Sequence, residues 1–175
     1  KEGEALVKLA ASGLCHSDDH LDTGDIQIPF APILGGHEGA GVVMEVGPNT
    51  RSVKPGDHCV LSFLPVCGKC RFCTMGETNL CDMSAGVLMG VAPDGTHRIH
   101  SRGLGVGAMS YLGTFAPYVV VPETSIVTIE KDIPLKPAAL VGCGVPTGWG
   151  SAVYAAETRA GDHCVVVGVG GVGIN

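Results

Sequence analysis

The sequence is poor in aromatic residues: one Trp, three Tyr and four Phe, 5% of 175 positions. Its core must therefore come from Val, Ala, Leu and Ile, and a hydrophobic share of 45% with a mean hydropathy of +0.32 supplies ample material. Positive charge is also scarce. Eleven Lys and Arg stand against 17 Asp and Glu, a formal net charge of −6, which argues against nucleic acid as the main partner, because phosphate binding needs clustered cations. No apolar run approaches the roughly 18 residues of a membrane span, so no membrane partner is expected. The opening KEGEALVKLA alternates like a strand and lacks the plan of a secretory signal. There is no internal repeat and no low-complexity tract.

Glycine and proline are plentiful, 27 and 11, which favours strands and turns over a helical bundle. The length suggests one domain and part of a second. The chain opens without Met inside the alternating stretch and stops at Asn175 after a glycine-rich turn; both ends read as cuts within a longer protein. Eight cysteines are present, at 15, 59, 67, 70, 73, 81, 143 and 164. Four of them crowd a short stretch, too close for easy mutual bridging. With no secretory signal, this points to a reduced, cytoplasmic protein whose thiols bind metal.

Strands are expected at 4–11, 37–47, after the Pro-Gly turn of 54–63, at 115–122 and at 125–129. Residues 64–82 lack hydrophobic periodicity and read as a loop ordered by something other than a core. Trp149, Val153 and Ala156 have helical spacing, predicting a helix over 147–161 with Gly161 as its stop. HCVVV at 163–167 predicts a buried strand. Composition changes near residue 145, giving domains at 1–144 and 145–175.

Three motifs carry chemistry. Cys67, Cys70, Cys73 and Cys81 form C-x2-C-x2-C-x7-C. Four soft thiolates in a short loop can close a tetrahedral zinc site that leaves no position for substrate. An iron–sulfur cluster is the rival, although the usual ferredoxin continuation is missing; plain thiols are the remaining alternative. The second motif is scattered: GLCHSDDH around Cys15, GGHEGAG around His37 and Glu38, and VGCGVPTG around Cys143. Each residue alone reads as an ordinary buried thiol or a hydrogen-bonded imidazole. Glycines around His37 and Cys143 permit close backbone approach, and together the residues offer the three donors that a catalytic zinc needs beside an open position. Third, GVGGVG at 168–173 fits G-x-G-x-x-G through Gly168, Gly170 and Gly173, after an apolar run as a dinucleotide turn requires.

These stretches, with VKPGDHCVLSF and LGTFAPYVVV, occur in an order that resembles the zinc-dependent alcohol dehydrogenases of the medium-chain dehydrogenase/reductase family, across essentially the whole chain. The segment 82–113 resembles the branch of class I and class III enzymes and of bacterial enzymes that keep their nicotinamide cofactor bound. The resemblance implies a mainly β fold: a GroES-like barrel catalytic domain followed by the start of an α/β Rossmann domain. It implies two zinc ions, one structural at Cys67, Cys70, Cys73 and Cys81, one catalytic at Cys15, His37 and Cys143 with Glu38 beside it. Two Cys and one His are the established donor set of alcohol dehydrogenase, a known example and not a deduction from spacing.

By the same resemblance Asp18 orients His37, Ser17 contacts the substrate oxygen, and His20 is the outer end of a proton relay, a role suited to a group that titrates near neutrality. Phe63 lines the substrate pocket. His16, Thr147, Gly168, Gly170, Gly171 and Gly173 contact NAD, with NADP not excluded because the residue that separates them lies about 20 positions beyond the turn. The implied reaction is reversible hydride transfer between a primary alcohol or aldehyde and that cofactor, in a homodimeric or homotetrameric parent; these residues alone are expected to be inactive. A glutathione adduct of formaldehyde remains open as substrate. A non-enzymatic zinc module using only the four-cysteine lobe, and a metal-free reductase, are the alternatives. Cys59, His163 and Cys164 are expected in or near strands, and His58, His97 and His100 at the surface.

Overall fold

Only three residues, Glu123–Ser125, separate β7 (Tyr118–Pro122) from β8 (Ile126–Ile129), yet these two strands are the opposite edges of one five-stranded sheet. In the computed structural model, which describes residues 1–175, that sheet runs β7, β1 (Glu4–Gly13), β3 (Glu38–Val46), β4 (His58–Leu61), β8, every neighbouring pair antiparallel. A three-residue link reaches at most about 14 Å, whereas the edges of a flat five-stranded sheet stand about 19 Å apart. The sheet must therefore roll up. The hydrogen bonds show the closure: Glu123 N–H donates to Gly3 O at 2.8 Å, and Ser62 N–H donates to Ser125 O at 2.8 Å. Pairing passes from the β1 side to the β4 side across the link.

Alternation sends one face of each strand inward. Ala5, Val7, Val43, Cys59, Leu61, Val119 and Val121 meet there, joined by Val53, Leu112 and Ile126. The shortage of aromatics is thus met by a β-branched core. A second, three-stranded sheet places β6 (Leu104–Ala108) between β2 (Ile33–Leu34), parallel to it, and β5 (Ile99–Ser101), antiparallel to it.

Helices are short: α1 (His16–Thr23), α2 (Arg71–Thr74), α3 (Leu135–Ala138) and α4 (Gly144–Gly150). Where the sequence suggests a bare loop at 64–82, α2 and a turn of 3-10 helix at Thr78–Leu80 are interposed. The helix expected at 147–161 is displaced. It begins at Gly144, with Pro146 in the first turn where no N–H is missed, and runs into a wide turn at Ser151–Ala155. Its expected apolar face has little to pack on: Trp149 is 58% exposed, Ala156 is exposed and Val153 is only half-buried. The strand expected at 163–167 does not form. No strand lies beside it to pair with, and Val165, Val166 and Val167 stand exposed. His163 and Cys164 are therefore exposed, while Cys59 is buried on β4. His97 is half-buried with its ring 4.3 Å from that of Phe30, a contact its polar surroundings in sequence do not signal.

Candidate metal centres

The four-cysteine lobe is assembled locally. Cys70 ends an extended stretch and opens α2, which carries Cys73; Cys67 lies just before and Cys81 just after the 3-10 turn. The four sulfur atoms all lie within 4.8 Å of one another, with Cys67 Sγ and Cys73 Sγ 4.0 Å apart. Backbone amides point at them: Cys67 N–H donates to Cys81 Sγ at 3.3 Å and Cys70 N–H to Cys67 Sγ at 3.4 Å. Such amides favour thiolates. The amides of Cys73 and Asp82 draw the Cys70 thiol down to about 6, whereas burial pushes Cys73 up to about 12. Apart from Cys81 the lobe buries few side chains, and Met75 and Leu80 are exposed. A tetrahedral thiophilic ion fits this donor set.

The second cluster is drawn from across the chain. Cys15 precedes α1, His37 and Glu38 stand at the start of β3, and Cys143 precedes α4; one donor atom from each lies within 4.8 Å of the others. The barrel brings them together because Gly13, the last residue of β1, pairs with Glu38, the first of β3. A side chain at Gly13 would collide with the Glu38 carboxylate. Likewise a Cβ at Gly142 would come within 2.5 Å of Leu61 O, so glycine there lets Cys143 approach the sheet.

Asp18, only 7% exposed, ties three parts of the site. Its Oδ2 accepts the Cys15 N–H at 3.0 Å, its Oδ1 accepts the Gly36 N–H at 2.8 Å, and the same Oδ1 lies 3.4 Å from His37 Nδ1. Gly24, at φ +82°, ends the helix that carries it. His37 and Glu38 are each 3% exposed. The ring of Phe63 stands edge-on to the His37 ring at 5.8 Å. Burial raises the Glu38 carboxyl above its ordinary range, with the His37 charge opposing. Burial likewise pushes the Cys143 thiol up to about 12, with Cys15 and Glu38 adding in the same direction. A divalent cation would reverse that crowding of negative charge, and two thiols with an imidazole suit zinc over calcium or magnesium.

Of the other residues singled out by the sequence, Ser17 lies with its Oγ 3.7 Å from Cys15 Sγ. His20 faces outward, its Nδ1 3.2 Å from Asp25 Oδ2 and its ring 4.6 Å from that of exposed His16. Thr147 is exposed on α4, its Oγ1 3.9 Å from Cys143 Sγ. The glycine turn folds back onto α4: a Cβ at Gly144 would lie 3.5 Å from Gly171 O and 3.9 Å from Glu38 Oε1. Gly168 has a φ of +92°, and Gly168, Gly170 and Gly171 are exposed, with Gly173 close against Gly168.

Sequence reasoning missed one pair. Thr114, 1% exposed, shares a 2.8 Å hydrogen bond with Ser12 Oγ, which also donates to Glu38 O at 2.9 Å. The pair pins the start of β3. Only the LGTF run before β7 hinted at Thr114, and nothing local marked Ser12.

All eight cysteines are free. No helix is long and apolar enough to cross a membrane.

A family profile described as the alcohol dehydrogenase GroES-like domain matches residues 1–131. The NDMA-dependent alcohol dehydrogenase of Amycolatopsis methanolica is 56% identical over 175 residues, covering 100% of this chain and 47% of that protein. The putative alcohol dehydrogenase D of Mycobacterium tuberculosis is 57% identical over 173 residues, covering 99% and 47%. A solved alcohol dehydrogenase zinc-binding domain protein from Burkholderia ambifaria superposes with a TM-score of 0.84 at 32% identity, covering 92% of this chain and 44% of that one. The chain thus spans about half the length of the curated relatives it matches. With its rolled antiparallel sheet and two donor clusters, the chain belongs to the alcohol dehydrogenase GroES-like domain family.

Proposed function

We propose that residues 1–144 are the catalytic domain, and 145–175 the first part of the cofactor domain, of a cytoplasmic zinc-dependent alcohol dehydrogenase. It would interconvert a primary alcohol and its aldehyde with a nicotinamide cofactor. The observation that carries this reading is the second cluster: buried donors from Cys15, His37, Glu38 and Cys143, beside a serine hydroxyl and an aromatic wall. A structural module would need only the lobe.

Cys15, His37 and Cys143 would hold the catalytic zinc, with Glu38 as a fourth or neighbouring donor; Cys67, Cys70, Cys73 and Cys81 would hold the structural one. When bound, zinc supplies Lewis acidity and the nicotinamide a hydride acceptor. The protein's own groups do the rest. Asp18 keeps the His37 ring and the Cys15 turn in register. Ser17 would take the substrate's hydroxyl proton as it gives up its own toward the cofactor side, and His20, on the outer face of α1, would release a proton to water at the far end of the relay. Phe63 shields one side of the site from solvent. His16, Thr147 and the glycines at 168, 170, 171 and 173 would contact NAD or NADP once the unpaired 163–167 segment is held in a sheet. A homodimer or homotetramer is the assembly expected of the longer protein.

The test is alcohol-dependent reduction of NAD, or of NDMA as acceptor because one relative's name carries that dependence, by a protein containing this chain and the length its relatives have. Activity abolished by Cys15→Ala or Cys143→Ala and lowered by Ser17→Ala supports the reading. Activity indifferent to Cys15→Ala contradicts it. Residues 1–175 alone should show none.

A further inference from the structure

His16 and His20 are four apart on α1, so both rings project from one side of the helix. Their centroids are 4.6 Å apart and their planes 29° from parallel. Both side chains are open to solvent, 77% and 44% exposed. Each also has a carboxylate at one ring nitrogen: Asp19 Oδ2 lies 3.4 Å from His16 Nε2, and Asp25 Oδ2 lies 3.2 Å from His20 Nδ1. Two imidazoles at i and i+4 on one helical face are the arrangement by which helices hold a transition metal. A carboxylate on the second ring nitrogen is what orients such a ligand. Charge favours a cation as well, because no Lys or Arg occurs between Lys8 and Arg51 in the sequence while Asp19 and Asp25 each face one ring.

We infer that His16 and His20 form a third, solvent-facing site for a divalent transition-metal ion, distinct from the two clusters described above. The ion takes one nitrogen from each ring, His20 offering the Nε2 that Asp25 leaves free, and water fills the remaining positions. The ion requires the rings to turn out of their stack so that the in-plane nitrogens converge, a rearrangement that solvent-facing side chains can make. On the dehydrogenase reading, an ion there would occupy the outer end of the proton relay, but the site rests on geometry alone.

The test is equilibrium dialysis of the zinc-loaded chain against Ni(II), a metal that imidazole suits, with nickel and zinc counted by elemental analysis. The expected result is one nickel gained per chain with zinc content unchanged. His16→Gln and His20→Gln should each weaken nickel binding by at least about tenfold, no less than the loss seen on removing a mere outer-shell partner. Both positions are exposed, so folding is preserved. His100→Gln, at an exposed histidine elsewhere, should leave binding unchanged. Absence of nickel uptake, uptake matched by zinc loss, or uptake indifferent to His16→Gln and His20→Gln would each overturn the assignment. No step of this experiment depends on catalytic activity.

Discussion

The two donor clusters are built by opposite means. Cys67, Cys70, Cys73 and Cys81 sit on one short segment with almost no core beneath it, so the metal would order the chain there. Cys15, His37, Glu38 and Cys143 stand at the ends of separate elements, and the barrel must be complete before they meet. A local cluster is a device of stability; a cluster dependent on topology can keep a donor position open between elements. That contrast is the reason the proposed function places its chemistry at the second cluster.

The largest expected effect is on the lobe. Chelation, or Cys70→Ala, should remove binding energy on the order of 10 kcal/mol. Hydrogen exchange should then accelerate across residues 67–82 while β1 and β3 stay protected. Equal loss in the barrel would break the comparison.

The converse change is Leu61→Ala, which empties a fully buried position under Gly142. It should cost about 2–5 kcal/mol. In rising urea the variant should release the metal of the scattered cluster before that of the lobe, which elemental analysis of dialysed fractions can follow.

Asp18→Asn keeps the shape and removes the charge that three groups share. Metal affinity at the scattered cluster should fall about 10–100-fold, with the lobe unaffected, as competition with a chromogenic chelator would read.

The smallest effect lies far from both clusters. Arg98 makes a bidentate pair with Glu4 on β1. Burial alone would raise the Glu4 carboxyl, but the Arg98 guanidinium holds it below its ordinary value of 4.5. A depressed folded-state value stabilises above the ordinary carboxylate range and stops doing so as pH falls through the depressed value. Glu4→Gln should therefore cost about 1 kcal/mol near neutrality, measured by urea melting. The difference from the parent should shrink below pH 4.5, and at neutral pH the substitution should leave both metal sites unchanged.

The lobe was legible in the sequence because its information is local: cysteine spacing sets the sulfur positions. The strands were legible for a similar reason, since alternation over 4–11 and 37–47 marks β1 and β3. The scattered donors could be suspected one at a time, but only the Gly13–Glu38 register brings them together. The pairing of Ser12 with Thr114 could not be read, because their hydrogen bond joins β1 to a loop 102 residues away in sequence. The failures at 147–161 and 163–167 have one cause. Their periodicity describes burial against elements that are not packed on them, so the helix is short and the valines stay unpaired.

The most direct test is zinc per chain, by elemental mass spectrometry on protein purified without added metal. The account predicts two, falling to one with Cys15→Ala or with Cys143→Ala. A value of one that is lost with Cys70→Ala and unchanged by Cys15→Ala would contradict it, leaving the lobe as the only metal site and GLCHSDDH as a polar helix start.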